Sequence, residues 1–280
     1  MVRFIVDSAA DFLPAEAETL GMLHLPLKVS FGEIEYADGV DLTHRAFYEK
    51  LVESDVLPKT SQVTPGEFAD AYRKVTEAGD TAVVITLSGK LSGTYQSACM
   101  AAADFEGAVY VVDSESVAIG QRILVQLGLR LREEGLSAPE IAERLNEEKH
   151  HIRLMALVDT LEYLKKGGRV SAAVAFAGSL LAIKPVIALE NGEVAVIGKA
   201  RGSKQGNNLL RQLVEKHGVN FEKPFALAYS GLSDALLQKY IADSAELWQK
   251  HTETLPVYTV GCAIGTHAGP GAVAVAFFEK

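Results

Sequence analysis

Hydroxyl side chains gathered beside glycines are the first chemistry this sequence offers. The segment Ser88-Gly89-Lys90-Leu91-Ser92-Gly93-Thr94 follows a short apolar β-branched run and precedes a stretch with helical spacing of apolar residues. Ser92 therefore falls at or beside a helix N-cap, where free backbone N–H groups and the helix dipole favour an anion. The plain alternative is that Ser92 only caps its own helix. A second hydroxyl group, Lys59-Thr60-Ser61-Gln62, precedes Pro65 and reads as a turn with a Ser/Thr cap. The glycine-dense segment Gly265-Thr266-His267-Ala268-Gly269-Pro270-Gly271 carries one histidine, which can be either a ligand-facing group or a loop residue satisfied by backbone. Asp7-Ser8 and Asp113-Ser114 close two further apolar runs.

Motifs for turnover are missing. No G-x-S-x-G elbow, H-E-x-x-H, Walker A spacing or post-strand G-x-G-x-x-G occurs. The stretch Gly198-Lys-Ala-Arg-Gly-Ser-Lys204 has the glycines and lysine of a phosphate loop in the wrong order. Neither metal ligands at coordinating spacing nor a cofactor motif is present, so no catalytic residue and no metal site are assigned. The enzyme alternative is a serine-dependent acyl hydrolase or transferase in which His267 activates Ser92. It would need a third group orienting the histidine and an oxyanion pocket.

The elements that must position these residues divide into two styles. Strands are expected at 2–6, 23–29, 81–86 and 108–112, alternating with helices at 44–53, 65–77, 93–103 and 116–133. That alternation predicts a mostly parallel sheet covered on both faces, with ligand groups beyond the carboxyl ends of its strands. Ser137-Ala-Pro-Glu140 opens one more helix. Further on, runs at 184–189 and 193–199 flank Asn191-Gly192, a two-residue hairpin signal. Strands at 224–229, 256–260 and 272–278 surround helices at 203–216 and 233–250. The reading is α/β: a parallel-sheet domain at 1–151 carrying the hydroxyl loops, and an α+β domain with antiparallel strands at 152–280.

Composition narrows the function classes. A formal net charge of −9 and a pI near 5.3 argue against nucleic acid as partner. Two cysteines, Cys99 and Cys262, make no disulfide framework and fit a reducing compartment. The first residues lack a signal-peptide pattern, so a cytoplasmic location is expected. Residues 254–278 hold no charged side chain, but Gly261, Gly265, Gly269, Pro270 and Gly271 break them into strand, loop and strand rather than a membrane span. Residues 170–183 are apolar with small side chains, suited to close packing or to a slender ligand. Around them the charge reverses. Lys165, Lys166, Arg169, Lys184, Lys199, Arg201 and Lys204 face only Glu190 and Glu193, which suggests a surface for phosphate, an acidic partner or anionic lipid.

Taken together, these blocks resemble the DegV family, bacterial fatty-acid-binding proteins also called FakB. The matching segments are Val6-Asp-Ser-Ala-Ala-Asp11, Lys59–Gln62, Ser88–Ser97, Val112-Asp-Ser114, Tyr163-Leu-Lys-Lys-Gly-Gly-Arg-Val-Ser171, Ile183-Lys-Pro185 and Thr266–Gly271, in family order along the chain. The family's His-Thr-Gly-Pro-Gly stands here as His267-Ala-Gly-Pro-Gly271, and its Ser-Ser before Leu-Ser-Gly as Ser88-Gly89-Lys90. The resemblance implies a two-domain carrier with an acyl chain buried at the domain junction and no cofactor beyond that long-chain fatty acid. Thr60 and Ser92 would bond the carboxylate, with Ser61, Gly93 and His267 beside them. The acid would be handed to a separate ATP-dependent fatty-acid kinase, with Arg169 and Arg201 serving that partner, and an anionic membrane surface could be touched transiently. Physical bookkeeping agrees with a carrier: about 15 methylenes at roughly 0.8 kcal/mol each outweigh hydroxyl bonds of about 1.5–3 kcal/mol. The tail sets affinity and the head sets orientation.

Overall fold

The computed structural model describes residues 1–170 and 182–280; most of the small-residue run singled out above lies outside the described residues. Strands in chain order are β1 (Val2–Asp7), β2 (Met22–Leu25), β3 (Lys28–Phe31), β4 (Ile34–Ala37), β5 (Lys59–Ser61), β6 (Thr81–Thr86), β7 (Val109–Asp113), β8 (Ile152–Leu157), β9 (Ile183–Glu190), β10 (Glu193–Arg201), β11 (Phe225–Tyr229), β12 (Val257–Thr259) and β13 (Val273–Phe278).

A parallel sheet has the order β2-β1-β6-β7. The middles of β1 and β6, Phe4–Val6 and Ala82–Ile85, are continuous apolar runs because both faces are covered. On β1, Phe4 and Val6 pack beneath the helices Ala118–Glu133 and Ala138–Glu148, while Ile5 turns to the opposite core with Phe68, Tyr72 and Ala98. Helix starts follow their chemistry: Thr64 and Ser137 each form a capping box, with Glu67 and Glu140, ahead of a proline in the first turn.

The second sheet has the order β10-β9-β8-β13-β11-β12 and is antiparallel except where β11 meets β12. One face is sealed: Met155, Leu157, Val275 and Phe277 bury against Leu210, Val214, Tyr240 and Trp248. The other face presents Leu154, Ala156 and Val158 from β8 and its extension, beside Ala272 and Ala274.

Four expectations change. Residues 23–29 form two strands, not one, because Pro26 cannot donate to a ladder. β2 joins the parallel sheet while β3 turns away into a small antiparallel sheet, β4-β3-β5. Thr60-Ser61 is therefore strand, in register with Val29 and Lys28, and Thr64 takes the capping role. The expected helix at 233–250 is two helices, Ala235–Asp243 and Ala245–Trp248, and the expected loop around His267 is a helix, Cys262–Ala268. The glycine in that helix is required by packing: a Cβ on Gly265 would lie 2.6 Å from Tyr48 Oη.

Candidate functional site

Between the open face of the six-stranded sheet and the parallel half lies a cavity of about 350 Å³, within the range of small-molecule sites. Leu27, Leu87, Val117, Leu154, Ala156, Ile187, Leu189, Val260 and Ala274 give it long apolar walls. Its polar lining is Thr60, Ser61, Gln62, Ser92, Arg169 and His267. Such a chamber suits a slender apolar molecule with one small polar end.

The fold brings Thr60 and His267 together across 207 residues: Thr60 Oγ1 lies 2.9 Å from His267 Nε2. Burial, reinforced by the Arg169 guanidinium, pushes the His267 imidazole down to about 4. The ring is thus neutral near pH 7 and carries one proton. Nδ1 is buried without a partner, packed against Gly167, where a Cβ would come within 2.2 Å of it. An orphaned N–H costs more than an orphaned lone pair in that position, so the proton belongs on Nε2. Nε2–H then donates to Thr60 Oγ1, and the threonine proton is left to donate into the cavity.

Ser92 is close to its expected place but does a different job at the helix start. The N-cap of helix Thr94–Ala102 is Gly93, whose side-chain-free Cα admits Gln62; a Cβ there would lie 2.1 Å from Gln62 Oε1. Gln62 Nε2 in turn donates to Ser97 Oγ at 2.7 Å. Ser92 Oγ accepts from Thr94 N–H at 3.3 Å and shares a hydroxyl contact with Thr94 Oγ1 at 3.0 Å. Ser92 and Gly93 line the same cavity as Thr60, and the contact between the Ser92 and Thr94 hydroxyls uses only one of their two protons.

Arg169 stands with them. Its Nε donates to Leu91 O at 3.1 Å and Nη1 to Gly167 O at 2.6 Å, fixing a cation beside Ser92 and His267. It also lines an outer groove of about 600 Å³ that reaches the other side of Thr60 and His267, past Pro58, Tyr163 and Lys166. Arg201, expected to share its role, is exposed at the start of helix Gly202–His217 and lines neither space.

The remaining strand-end candidates are used inside the fold. Asp7 accepts from Leu87 N, Ala9 N and Gln121 Nε2 at 2.8, 3.0 and 3.2 Å. Ser8 Oγ donates to Asp38 and accepts from Leu27 N. Ser114 Oγ donates to Ser116 O, and Ser88 Oγ donates to Gly192 O at 2.7 Å, fastening the β9–β10 turn. Asp38 was invisible to sequence reasoning, having no motif around it. The hydrolase arrangement is not favoured, since His267 pairs with Thr60 rather than Ser92 and its Nδ1 meets no acid. Among the described residues, no group of three or more His, Cys, Asp or Glu could hold a metal ion, and no helix is long and apolar enough to cross a membrane.

The family model of DegV, described as an uncharacterised protein family, matches residues 1–280. This chain belongs to the DegV family. A DegV domain-containing protein from Deinococcus radiodurans is 35% identical over 98% of this chain and 97% of its own. Among solved structures, a DegV-family protein of Thermus thermophilus described by its fatty-acid binding superposes with a TM-score of 0.88 at 30% identity, covering 100% of this chain and 99% of that one. A fatty-acid-binding DegV of Bacillus subtilis is 31% identical with a TM-score of 0.81 and the same coverage. A stearic-acid-binding protein of Eubacterium ventriosum is 26% identical with a TM-score of 0.86, again with that coverage. The DegV fold, with its parallel and antiparallel sheets, is thus shared along the whole chain.

The protonation reading gives a direct expectation. In ligand-free protein, imidazole NMR should show His267 neutral down to near pH 4, because burial and Arg169 both oppose the cation. A carboxylate placed beside it should move the midpoint upward. Titration near the ordinary histidine value without ligand would contradict the buried Thr60–His267 pair.

Proposed function

We propose that this chain is a carrier that buries one long-chain fatty acid and presents its carboxylate to a separate ATP-dependent fatty-acid kinase. The observation that supports it best is the cavity itself: an apolar chamber whose hydrogen-bond donors, Thr60, Ser92 and Arg169, gather at one end. The relatives described as fatty-acid-binding proteins support the same ligand class.

In this reading the tail lies along Leu154, Ala156 and Ile187, between a parallel-sheet unit at 1–151 and an α+β unit at 152–280. The carboxylate accepts from Thr60 O–H, whose oxygen is held by His267 Nε2–H, and from Ser92 O–H. Ser61 and Gly93 border that end. Arg169 supplies the compensating charge, and the outer groove gives a partner access to the head group. Arg201 lies on the surface and serves the partner alone. The protein's own groups are neutral donors and one guanidinium, which orient a carboxylate but do not supply the metal and charge clamp that phosphoryl transfer uses.

Mass spectrometry of lipid extracted from the purified protein tests the carrier: one equivalent of fatty acid is expected, and a lipid-free protein that takes up no palmitate on incubation sinks it. Mg-ATP and palmitate should yield acyl-phosphate only after a cognate kinase is added. Arg201→Ala should keep its lipid while slowing that transfer about tenfold or more. Arg169→Ala should lose both lipid and transfer. Wild-type transfer by Arg201→Ala would remove that residue from the handover.

A further inference from the structure

The helix Cys262–Ala268 has little reason to exist on its own. Seven residues with a glycine in the middle and glycines on both flanks are far too short and too flexible to hold a helix in water. Yet this helix carries His267 and lines the cavity through Ala263, Ile264 and Ala268.

What holds its first turn is a pair of buried carboxylates. Asp38 Oδ1 accepts from Cys262 N at 3.0 Å and Asp38 Oδ2 from Ala263 N at 3.1 Å. Asp11 Oδ1 accepts from Gly261 N at 2.9 Å. Ser8 Oγ donates to Asp38 Oδ2 at 2.9 Å, so both oxygens of this aspartate, only 1% exposed, are committed as acceptors. Gly261 is pressed so close that a Cβ would lie 2.8 Å from Asp11 Oδ1 and 3.0 Å from His44 Nε2.

The placement of Asp38 links these bonds to the head-group site. It directly follows β4, one edge of the small sheet β4-β3-β5, and Thr60 sits on β5, the other edge. Crossing two strand spacings covers about 10 Å. Five residues of helix, from Cys262 to His267, advance about 7.5 Å. The small sheet thus grips the helix at both ends, at its first N–H groups through Asp38 and at His267 through Thr60.

We infer that Asp38 is a positioning residue for the head-group site: by fixing the start of helix Cys262–Ala268 against one edge of the sheet, it sets where His267 meets Thr60 on the other. This rests on the fatty-acid reading above. A hydrogen bond weakens steeply when an atom drifts, whereas contacts along an apolar tail are many and tolerant. Loosening the helix therefore acts on the head before the tail.

The test compares Asp38→Asn with wild type, both delipidated, for binding of palmitate and of hexadecanol, which shares the chain but lacks the carboxylate. An amide has one acceptor oxygen and turns an NH2 toward a backbone N–H, so it cannot serve all three donors. Palmitate should weaken about tenfold while hexadecanol changes less than about twofold. Thr60→Ala added to Asp38→Asn should cost palmitate little beyond Thr60→Ala alone, because both act through one contact. Ser8→Ala, which leaves the carboxylate in place, should weaken palmitate selectively by about threefold and keeps the question answerable if Asp38→Asn fails to fold. Equal losses of both probes, or fully additive effects with Thr60→Ala, would reduce Asp38 to a structural residue. Wild-type protein that binds palmitate no better than hexadecanol would instead refute the head-group assignment itself.

Discussion

Ala156→Phe should give a folded protein that no longer retains lipid. Ala156 lies on β8, in the interior of the six-stranded sheet, yet it is half-buried rather than sealed because its side chain borders the cavity. On β13 it is paired with Ala274, and on β9 with Ile187, so a ring at 156 has nowhere to go but into the chamber. Aromatic residues suit strands, and the ring would bury apolar surface now left open. Stability should hold or rise. Excluding about five methylenes of the tail costs about 4 kcal/mol, close to 10³-fold in affinity for palmitate. Lipid extraction and thermal unfolding on the same preparation check both halves of the expectation. A variant that copurifies with a full equivalent of long-chain acid would place the tail elsewhere.

The second large effect belongs to the head. On the proposed carrier reading, removing both hydroxyls in Thr60→Ala, Ser92→Ala takes away two bonds to a carboxylate, each of about 1.5–3 kcal/mol. Palmitate should dissociate about 10²–10⁴ times faster, while hexadecanol should lose far less, since its hydroxyl makes only neutral bonds. The apolar walls are untouched, so the protein should fold normally. Wild-type palmitate release from this double variant would remove both residues from carboxylate binding, whatever happens to the tail.

How far the sequence reached depends on where each element's stability comes from. The parallel half was legible because its signals are local: β-branched runs at 2–6 and 81–86, and capping residues such as Ser137 ahead of Pro139. The small sheet was not, because strands of three or four residues carry no periodicity and Thr60-Ser61 reads as turn chemistry until β3 is placed beside it. The helix at 262–268 was hidden for the opposite reason. Its glycines speak against helix locally, and the carboxylates that overrule them come from 224 and 250 residues away. At the site, the hydroxyls and His267 were singled out on type and loop position, but the Thr60–His267 contact is a property of the folded chain alone. Arg169 was read with a basic outer face, whereas it also borders the cavity, where its contacts with Leu91 O and Gly167 O hold it. Asp7 and Ser8 drew notice as strand-end polar groups, and their work is internal.

The contacts that complete the site also govern when it can form. Thr60 meets His267 over 207 residues, and Tyr48 donates to Val260 O over 212. Closing loops of that length costs chain entropy before any contact repays it, so such pairings come late in folding. Until they close, the inner face of the six-stranded sheet stays open to water as an apolar, aggregation-prone surface. An occupant of the cavity binds only the closed state, and so shifts the folding balance toward it in proportion to its concentration over its Kd. Any molecule that fills the chamber therefore also acts as a folding aid for the chain that holds it.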